Sequence, residues 1–265
     1  MEFVNKSTVK LIKHNASDED VAHAAWVSNF GTGAVERDTS NISKLINFLY
    51  NNKHMSPFEH GSFTFFVDTP IFVAREFMRH RTFSYNETSG RYKSLEPRFY
   101  VAPKERPLIQ EGRVGNYTFT TGTDKQYNAL QEYTMSAYAA AWKSYEDMGK
   151  AGIANEVRRD VLPVGIMTQF YATCNPRNLM QFLTLRNDAP ALYEIRQVSE
   201  AMEAIFAEAM PLTYDAYRAG RVEQEKQDHP QYTVNMTVDD TKDVAKRINA
   251  ILESNNKAKK GFIRR

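Results

Sequence analysis

The spacing of apolar residues in the first part of the chain predicts two helices, a strand and a third helix. Ser17, followed by three acidic residues, is typical of an N-cap and opens the first helix. Apolar residues recur at helical spacing over 42–49, which predicts the second helix, and alternate over 62–68, which predicts a strand. Thr69 and Pro70 are then expected to be the N-cap and first residue of a helix through IFVAREFMRH.

The second part of the chain is predicted to be mostly helical. Prolines and glycines without periodicity over 102–125 indicate a long connection or insertion. An apolar and aromatic stripe predicts a long helix over 124–148, whose aromatic residues we expect to pack in the core. Further expected elements are a strand in IMTQFYATC, a helix opened by Asn175–Pro176, and helices at about 190–210 and 211–219.

The chain becomes polar from Arg221 onward. We therefore expect one domain over 1–220 and a polar C-terminal extension over 221–265, with a short amphipathic stretch at 244–252. The closing KAKKGFIRR is basic; for so short a charged run we expect a solvated tail, and the alternative is a nucleic-acid arm.

Composition excludes several classes of protein. The 265 residues suffice for one large domain or two small ones, and a hydrophobic fraction of 42% with 25% charged residues excludes disordered, collagenous and fibrous chains. No apolar run approaches the roughly 20 residues of a membrane span, and the first residues lack the apolar core of a secretory signal. We expect a cytoplasmic protein without membrane association.

Net charge and cysteine content limit the partners and the kinds of site that this chain can have. The net charge is only +2, from 34 basic and 32 acidic residues, so the overall balance does not favour a nucleic-acid partner. The single cysteine, Cys174, excludes an intrachain disulfide framework and any multi-thiolate metal site within one chain. We expect Cys174 to be a buried hydrophobic side chain; the alternative, a nucleophile, requires an electropositive pocket, which a sequence does not reveal.

Arginine is concentrated in one short stretch. Surface arginines usually pair with carboxylates one turn away, but here only Glu76, Glu87 and Glu96 are available, so some guanidinium groups should lack a local partner. Guanidinium groups suit phosphate, carboxylate or a deprotonated ring imide. If the chain is extended after His80, Arg79 and Arg81 point to one side. The basic residues of this stretch are Arg75, Arg79, His80, Arg81, Arg91 and Arg98.

The following segment, SYNETSGRY, has the donors, acceptors and glycine of a nucleotide-binding loop. Gly90 permits close approach of the backbone to a ligand. No Walker A or G-x-G-x-x-G pattern occurs, so arginine would have to hold phosphate instead. A second basic group follows at Arg158–Arg159 and in the helix after Asn175, where Arg186 lies half a revolution from Arg177.

Two other chemistries have weak sequence support. His54, Glu59 and His60 invite a metal interpretation, but their spacing fits neither a helical histidine pair nor a facial triad, and we predict no metal. Ser89 does not lie in G-x-S-x-G, which argues against a serine hydrolase. From the residues alone, the ligand is an anion of nucleotide type and the reaction stays open.

The string RHRTFSYNETSGRY, Arg79–Tyr92, resembles the signature of flavin-dependent thymidylate synthases, which is R-H-R, seven residues, then S. The similarity extends through AAWVSNF, SPFEH, FVAREFMRHR, RRDVLP and NPRNLMQFLTLR, and covers about residues 20–218. The resemblance implies a methyltransferase that converts dUMP to dTMP, with methylenetetrahydrofolate as carbon donor, FAD as redox mediator and NADPH as reductant. It also implies a helix-rich α+β fold, a twisted sheet flanked by helices, in a single domain that assembles as a homotetramer with active sites shared between subunits.

The resemblance also implies roles for individual residues. Arg186 would activate the uracil ring and Ser89 would orient it, while Cys174 would be structural. Expected FAD contacts are Ser28, Ser56, Arg79, His80, Arg81, Glu87, Asn175, Arg177 and Gln181. Expected nucleotide contacts are Glu76, Arg79, Glu87, Ser89, Gly90, Arg91, Arg159 and Arg186.

Two positions depart from the pattern of the family. Glu76 stands where the family usually has glutamine, and Gln181 where asparagine is frequent. A carboxylate at position 76 lacks the amide donor and would repel phosphate unless it is protonated or paired. Besides the flavin enzyme, two hypotheses stay open: a non-enzymatic nucleotide or nucleic-acid binding protein, and a hydrolase or scaffold that keeps the fold without the flavin.

Overall fold

The computed structural model describes residues 1–113 and 116–228. The α-helices and β-strands in these ranges confirm the predicted α+β composition. The strands are β1 (Glu2–Val4), β2 (Thr8–His14), β3 (Phe63–Pro70), β4 (Ser84–Glu87), β5 (Arg98–Tyr100), β6 (Ile109–Arg113), β7 (Asn116–Thr120) and β8 (Met167–Cys174). The helices are α1 (Asp18–Phe30), α2 (Ser43–Asn51), α3 (Ile71–Phe77), α4 (Asp124–Lys150), α5 (Asn155–Arg158), α6 (Pro176–Arg186), α7 (Tyr193–Ala209) and α8 (Pro211–Asp228).

The chain divides into two compact units. The first contains residues 1–10, 65–172 and 188–198, and the second contains residues 11–64, 173–187 and the chain from Ser199 onward. Neither unit is continuous in sequence, so the two are not successive domains along the chain. No helix within residues 1–113 and 116–228 combines the length and the apolarity that a membrane span needs.

The main sheet has four strands in the order β2–β3–β8–β4, and β1 pairs with β5 in parallel as a separate ribbon. Phe63, Phe65 and Val67 of β3 are fully buried, as predicted. Their neighbours Thr64 and Thr69 are buried as well, so the strand does not have the exposed face that alternation suggests. The reason is that β3 lies inside the sheet, between β2 and β8, and both of its faces are covered.

Helix α3 begins one residue later than predicted. Pro70 has extended backbone angles and is the N-cap, and the first helical residue is Ile71. Proline is tolerated at this boundary because it has no N–H to pair. The helix ends at Phe77 and is followed by turns at 78–83. The predicted helix through IFVAREFMRH is therefore shorter than expected, and the chain after His80 is not extended.

In the first unit, the long helix α4 is close to its predicted bounds and is capped by Thr123 and Gln126 in a capping box. Its aromatic stripe is buried mainly at the two ends, where Tyr127 and Tyr145 are almost inaccessible to solvent. Tyr133, in the middle, is 72% exposed, so the prediction of core packing was wrong there.

Residues 102–125 are not an unstructured connection. They contain an antiparallel hairpin in which β6 pairs with β7 from Ile109–Thr120 to Arg113–Asn116. The side chains of β6 are mostly exposed, so no apolar alternation marks that strand in the sequence, whereas Tyr117 and Phe119 of β7 do alternate with polar residues. Arg106 contacts this hairpin through the ring of Phe119, 5.1 Å away, and pairs with the buried carboxylate of Glu194 at 3.2 Å.

The second unit is built from α1, α2, α6, most of α7, and α8. Ser17 accepts a hydrogen bond from the Asp20 N–H and is the predicted N-cap of α1. Helix α8 begins at Pro211, as expected, but continues to Asp228. The domain boundary at 220 stays a prediction, and the amphipathic stretch at 244–252 and the closing basic run lie outside the described residues.

A buried carboxylate joins the start of α1 to the start of α8. Asp18 is 5% exposed and accepts hydrogen bonds from the backbone N–H groups of Leu212 and Thr213, both at 2.9 Å, and from the Thr213 hydroxyl at 2.6 Å. These donors are among the first N–H groups of α8, which have no partner within the helix. A carboxylate at a helix N-terminus also interacts favourably with the helix dipole.

We predict that Asp18→Ala lowers the free energy of unfolding by about 3 kcal/mol, because three donors lose an ionised acceptor in a buried place. Urea unfolding followed by circular dichroism measures the loss. Glu19→Ala, an exposed acidic residue in the same helical turn, is the matched control and should change stability by less than about 0.5 kcal/mol. Equal effects of the two substitutions would contradict the role of Asp18.

Candidate active site

The R-H-R triplet lies in the turns between α3 and β4. The hydroxyl of Tyr85 donates to the backbone carbonyls of Phe77 at 3.1 Å and His80 at 2.9 Å. Phe77 and Phe83 also contact Tyr85 through their rings, with centroids 5.9 and 6.0 Å away. This aromatic cluster fixes the backbone on both sides of the triplet. Arg79 and Arg81 are exposed and His80 is half-buried, although the chain is not extended.

The arginines near the triplet fall into two classes. Arg91 pairs with Glu156 at 3.1 Å, and Arg98 pairs with Asp68 at 3.0 Å. By contrast, the guanidinium groups of Arg75, Arg79, Arg81 and Arg159 make no ion pair with any described residue. The prediction that some arginines of the cluster lack a carboxylate partner is therefore confirmed, whereas Arg98 belongs to the internal structure.

The adjacent arginines at 158 and 159 differ in the same way. Arg158 donates to Asn155 at 2.6 Å and to the Ser94 hydroxyl at 2.7 Å, and it stacks on the ring of Tyr145. Arg159 follows in a 3₁₀ turn and is exposed. Only Arg159 of this pair is therefore available to a ligand.

Ser89 and Gly90 form a tight turn beside Arg159. The Ser89 hydroxyl accepts a hydrogen bond from the Arg91 N–H at 3.2 Å, and its carbonyl accepts from Tyr92. A Cβ added at Gly90 would lie 3.4 Å from Cδ of Arg159 and 3.2 Å from Leu95. Glycine therefore allows the Arg159 side chain to lie against the turn that carries Ser89.

Glu87, the last residue of β4, is exposed, but one of its two carboxylate oxygens has a hydrogen-bond partner. Its Oε1 accepts a hydrogen bond from the hydroxyl of Thr168 on β8 at 2.6 Å. The next residue, Thr88, donates its N–H to the carbonyl of Gln169 at 2.9 Å. Thr168 is not among the site residues predicted from the sequence. The available signal was a threonine in the predicted strand IMTQFYATC.

A small polar cavity lies beside this strand pairing. Its volume is about 30 Å³, which admits a water molecule or two and is far below the roughly 300 Å³ of a small-molecule site. A nucleotide cannot bind inside it. The cavity is lined by Thr88, Lys93, Leu95, Glu96, Arg98, Met167, Thr168 and Gln169.

The other predicted site residues belong to the second unit. Ser28 lies on α1, and Ser56 opens a 3₁₀ turn at Ser56–Glu59 that contacts both α1 and α6. Arg177, in the first turn of α6, forms an ion pair with Glu59 of that turn. The structure therefore brings Arg177 close to the segment that carries Ser56.

Helix α6 begins and ends at predicted site residues. Asn175 is the N-cap, and its side chain accepts from the Asn178 N–H at 2.9 Å. Gln181 is exposed one turn after Arg177, and the half-buried Arg186 ends the helix. Asn187 follows directly; its amide donates to the Glu203 carboxylate, and its carbonyl accepts from Arg221 at 3.0 Å. These contacts fix the backbone next to Arg186.

Glu59 pairs with Arg177 of α6. No group of three or more His, Cys, Asp or Glu side chains is placed to hold a metal ion in the part of the chain that the structure describes. Cys174, at the end of β8, is 4% exposed, and burial raises the pKa of its thiol. It is thus a buried apolar side chain, in agreement with the structural interpretation.

Residues 10–212 match the family model described as thymidylate synthase complementing protein. The chain belongs to this family. A flavin-dependent thymidylate synthase of Streptomyces avermitilis is 48% identical over 232 residues, which cover 83% of this chain and 94% of that protein. The corresponding protein of Tropheryma whipplei strain TW08/27 is 43% identical over 230 residues, 83% of this chain and 96% of its own. The family resemblance of the sequence is thereby confirmed.

This member of the thymidylate synthase complementing protein family is also similar to solved structures. The UMP/dUMP methylase PolB from Streptomyces cacaoi, bound with 5-Br dUMP, is 41% identical with a TM-score of 0.79, and the match covers 83% of this chain and 99% of PolB. PolB bound with 5-Br UMP has a TM-score of 0.77 at 39% identity, covering 83% and 98%. The α+β fold is therefore shared with a nucleotide methylase.

We predict that the Cys174 thiol does not react with an aromatic disulfide reagent in the folded protein, because burial both blocks access and raises the thiol pKa. One thiol per chain should react after unfolding in guanidinium chloride. Cys174→Ala should keep its enzymatic activity. Fast labelling of the folded protein, or a folded but inactive Cys174→Ala variant, would contradict a structural role.

Proposed function

We propose that this protein is a flavin-dependent thymidylate synthase, a methyltransferase that converts dUMP to dTMP. The observation that carries the proposal is a set of exposed guanidinium groups that form no ion pair with any described residue: Arg79 and Arg81 in the turns after α3, and Arg159 against the Ser89–Gly90 turn. Such planar, always-charged groups suit an anionic ligand. Relatives at 43–48% identity carry the same functional name, which is why we choose thymidylate synthesis over simple nucleotide binding.

The nucleotide is proposed to bind along the turns from α3 to Arg91. Arg79 and Arg159 would bind its phosphate, and Ser89 and the Gly90 backbone would orient the base and sugar. Glu76 would face the free sugar hydroxyl group, because a carboxylate accepts hydrogen bonds but donates none. Arg91 would have to share its guanidinium group with Glu156. Glu87 and Arg186 complete the proposed set.

The flavin is proposed to be FAD. The guanidinium groups of Arg79 and Arg81 are exposed, and each could donate paired hydrogen bonds to a phosphate. FAD has two phosphates that could accept them. FAD would supply the hydride chemistry, with NADPH as reductant and methylenetetrahydrofolate as carbon donor. The other proposed contacts are Ser28, Ser56, His80, Glu87, Asn175, Arg177 and Gln181.

Arg186 is proposed to activate the substrate. A guanidinium group beside the uracil imide stabilises the ring anion and increases the electron density at carbon 5, which must attack the methylene carbon. A rigid position favours this role, since electrostatic stabilisation is strongest when the donor needs no reorganisation. Two hydrogen bonds of Asn187 support that rigidity, one from its side-chain amide to Glu203 and one from Arg221 to its backbone carbonyl.

We further propose a cytoplasmic homotetramer whose active sites contain residues of several subunits, without nucleic-acid or membrane partners. Arg177 and Arg186 support this arrangement, because they lie half a revolution apart on α6 and one site would have difficulty using both. UMP is a second candidate substrate, since PolB has been solved with 5-Br UMP as well as with 5-Br dUMP.

We predict that the purified protein is yellow and takes up one FAD per chain on reconstitution. Formation of dTMP should require dUMP, methylenetetrahydrofolate and NADPH together, and chromatography of the products measures it. Parallel reactions with UMP test the second substrate. A colourless protein that cannot take up FAD would contradict the proposed function.

We predict that Arg186→Ala lowers kcat by about 1000-fold while FAD stays bound, because the uracil anion loses its stabilising charge. Arg186→Lys should recover part of the rate, since it keeps the positive charge without the planar fork. Arg113→Ala, an exposed arginine on β6, is the control and should be fully active. Full turnover by Arg186→Ala would remove the assigned role.

A further inference from the structure

Strand β8 carries one hydroxyl that points to the site. Thr168 is 8% exposed and lies between Met167, equally buried, and the buried Phe170 two residues on. A buried hydroxyl group costs free energy unless it makes a hydrogen bond. Thr168 satisfies this need with the carboxylate of Glu87, at 2.6 Å, a length typical of a hydroxyl bonded to an ionised acceptor.

The pairing of β4 with β8 fixes the position of Thr168, the donor in this hydrogen bond. Thr88 donates its backbone N–H to Gln169, so β4 is held to β8 next to Glu87. The Gln169 amide in turn donates to Asp68 at 3.3 Å, and Asp68 pairs with Arg98 at 3.0 Å. Thr168 therefore occupies a position that is fixed by the backbone on one side and by a buried ion pair on the other.

Glu87, in contrast, has little else to hold its side chain. The residue is exposed at the end of β4, and its second oxygen, Oε2, has no hydrogen-bond partner among the described residues. An exposed glutamate samples several rotamers, and fixing one of them costs conformational entropy. A single short hydrogen bond to a buried donor selects the rotamer and leaves Oε2 available to a ligand.

We propose that Thr168 is a positioning residue for the reaction, and that it acts by fixing Glu87. This proposal rests on the proposed function, in which Glu87 contacts both the nucleotide and the flavin. The hydroxyl of Thr168 holds Oε1, so that Oε2 faces the ligands before they bind. Without the hydroxyl, Glu87 has to be ordered by the ligands themselves, at a cost to catalysis.

The expected effect is a loss of about 10- to 100-fold in kcat/KM, the range for a misplaced group that orients reactants. Thr168→Val removes the hydroxyl at nearly constant volume, and Thr168→Ser keeps it. We expect Thr168→Ser to be close to the wild-type enzyme and Thr168→Val to show the loss with unchanged FAD content. Thr69→Val is the matched control, since Thr69 is also buried in unit 1 and its hydroxyl bonds that of Ser7, at 2.7 Å.

A double-mutant cycle with Glu87→Ala, which removes the acceptor of the Thr168 hydroxyl, separates positioning from a general structural effect. If Thr168 acts through Glu87, Thr168→Val should cost little further activity in the Glu87→Ala background, so the two losses are not additive. Steady-state kinetics of dTMP formation measures all four enzymes. Should Thr168→Val fail to fold, Thr168→Ala takes its place in the same cycle.

Each outcome is informative. A wild-type enzyme that forms no dTMP would remove the proposed function itself. An active wild type with Thr168→Val within about twofold of it, the scatter of neutral substitutions, would overturn the positioning role alone. Additive losses in the cycle, or an equal loss in Thr69→Val, would also overturn it, because Thr168 would then act through the fold and not through Glu87.

Discussion

The hydrogen bonds of strand β8 to its two neighbours are the constraint on which the site depends. β8 pairs with β3 on one side and with β4 on the other. The pairing with β4 places Glu87 and Thr88 against Thr168 and Gln169. The same strand ends at Cys174, and the next residue, Asn175, caps the helix that carries Arg177 and Arg186. A shift of register by one residue would turn Thr168 to the other face of the sheet.

Arginine has two separate uses in this chain. Arg98 and Arg106 are largely buried, and each pairs with a buried carboxylate, Asp68 or Glu194. Such pairs hold segments in register and are expensive to break, because one charge would stay buried alone. Arg79, Arg81 and Arg159 are exposed and form no ion pair with any residue that the structure describes, so their side chains stay hydrated until a ligand binds. The density of arginines along the sequence does not distinguish these two uses. The positions of the carboxylates in the folded chain do.

The sequence predicted the start of a helix correctly where a single capping side chain determines it. The N-caps at Ser17 and Asn175 have the expected hydrogen bonds, because capping needs only residues three positions apart. The hairpin of β6 and β7 was missed, since its stability depends on pairing between strands whose side chains are mostly exposed. The turns around His80 were missed for a similar reason, because Tyr85 determines them from outside the triplet.

The unpaired arginines also imply something about the protein without its ligands. Like charges held close together in a folded chain repel one another, and this repulsion lowers the stability of the ligand-free state. Tyr85 and the rings of Phe77 and Phe83 oppose it by holding the backbone on both sides of Arg79. An anionic ligand that binds only the folded state then stabilises it in proportion to its affinity. An anionic ligand would therefore both neutralise these exposed arginines and stabilise the fold, while the contacts of Tyr85 hold the turns that carry Arg79 and Arg81.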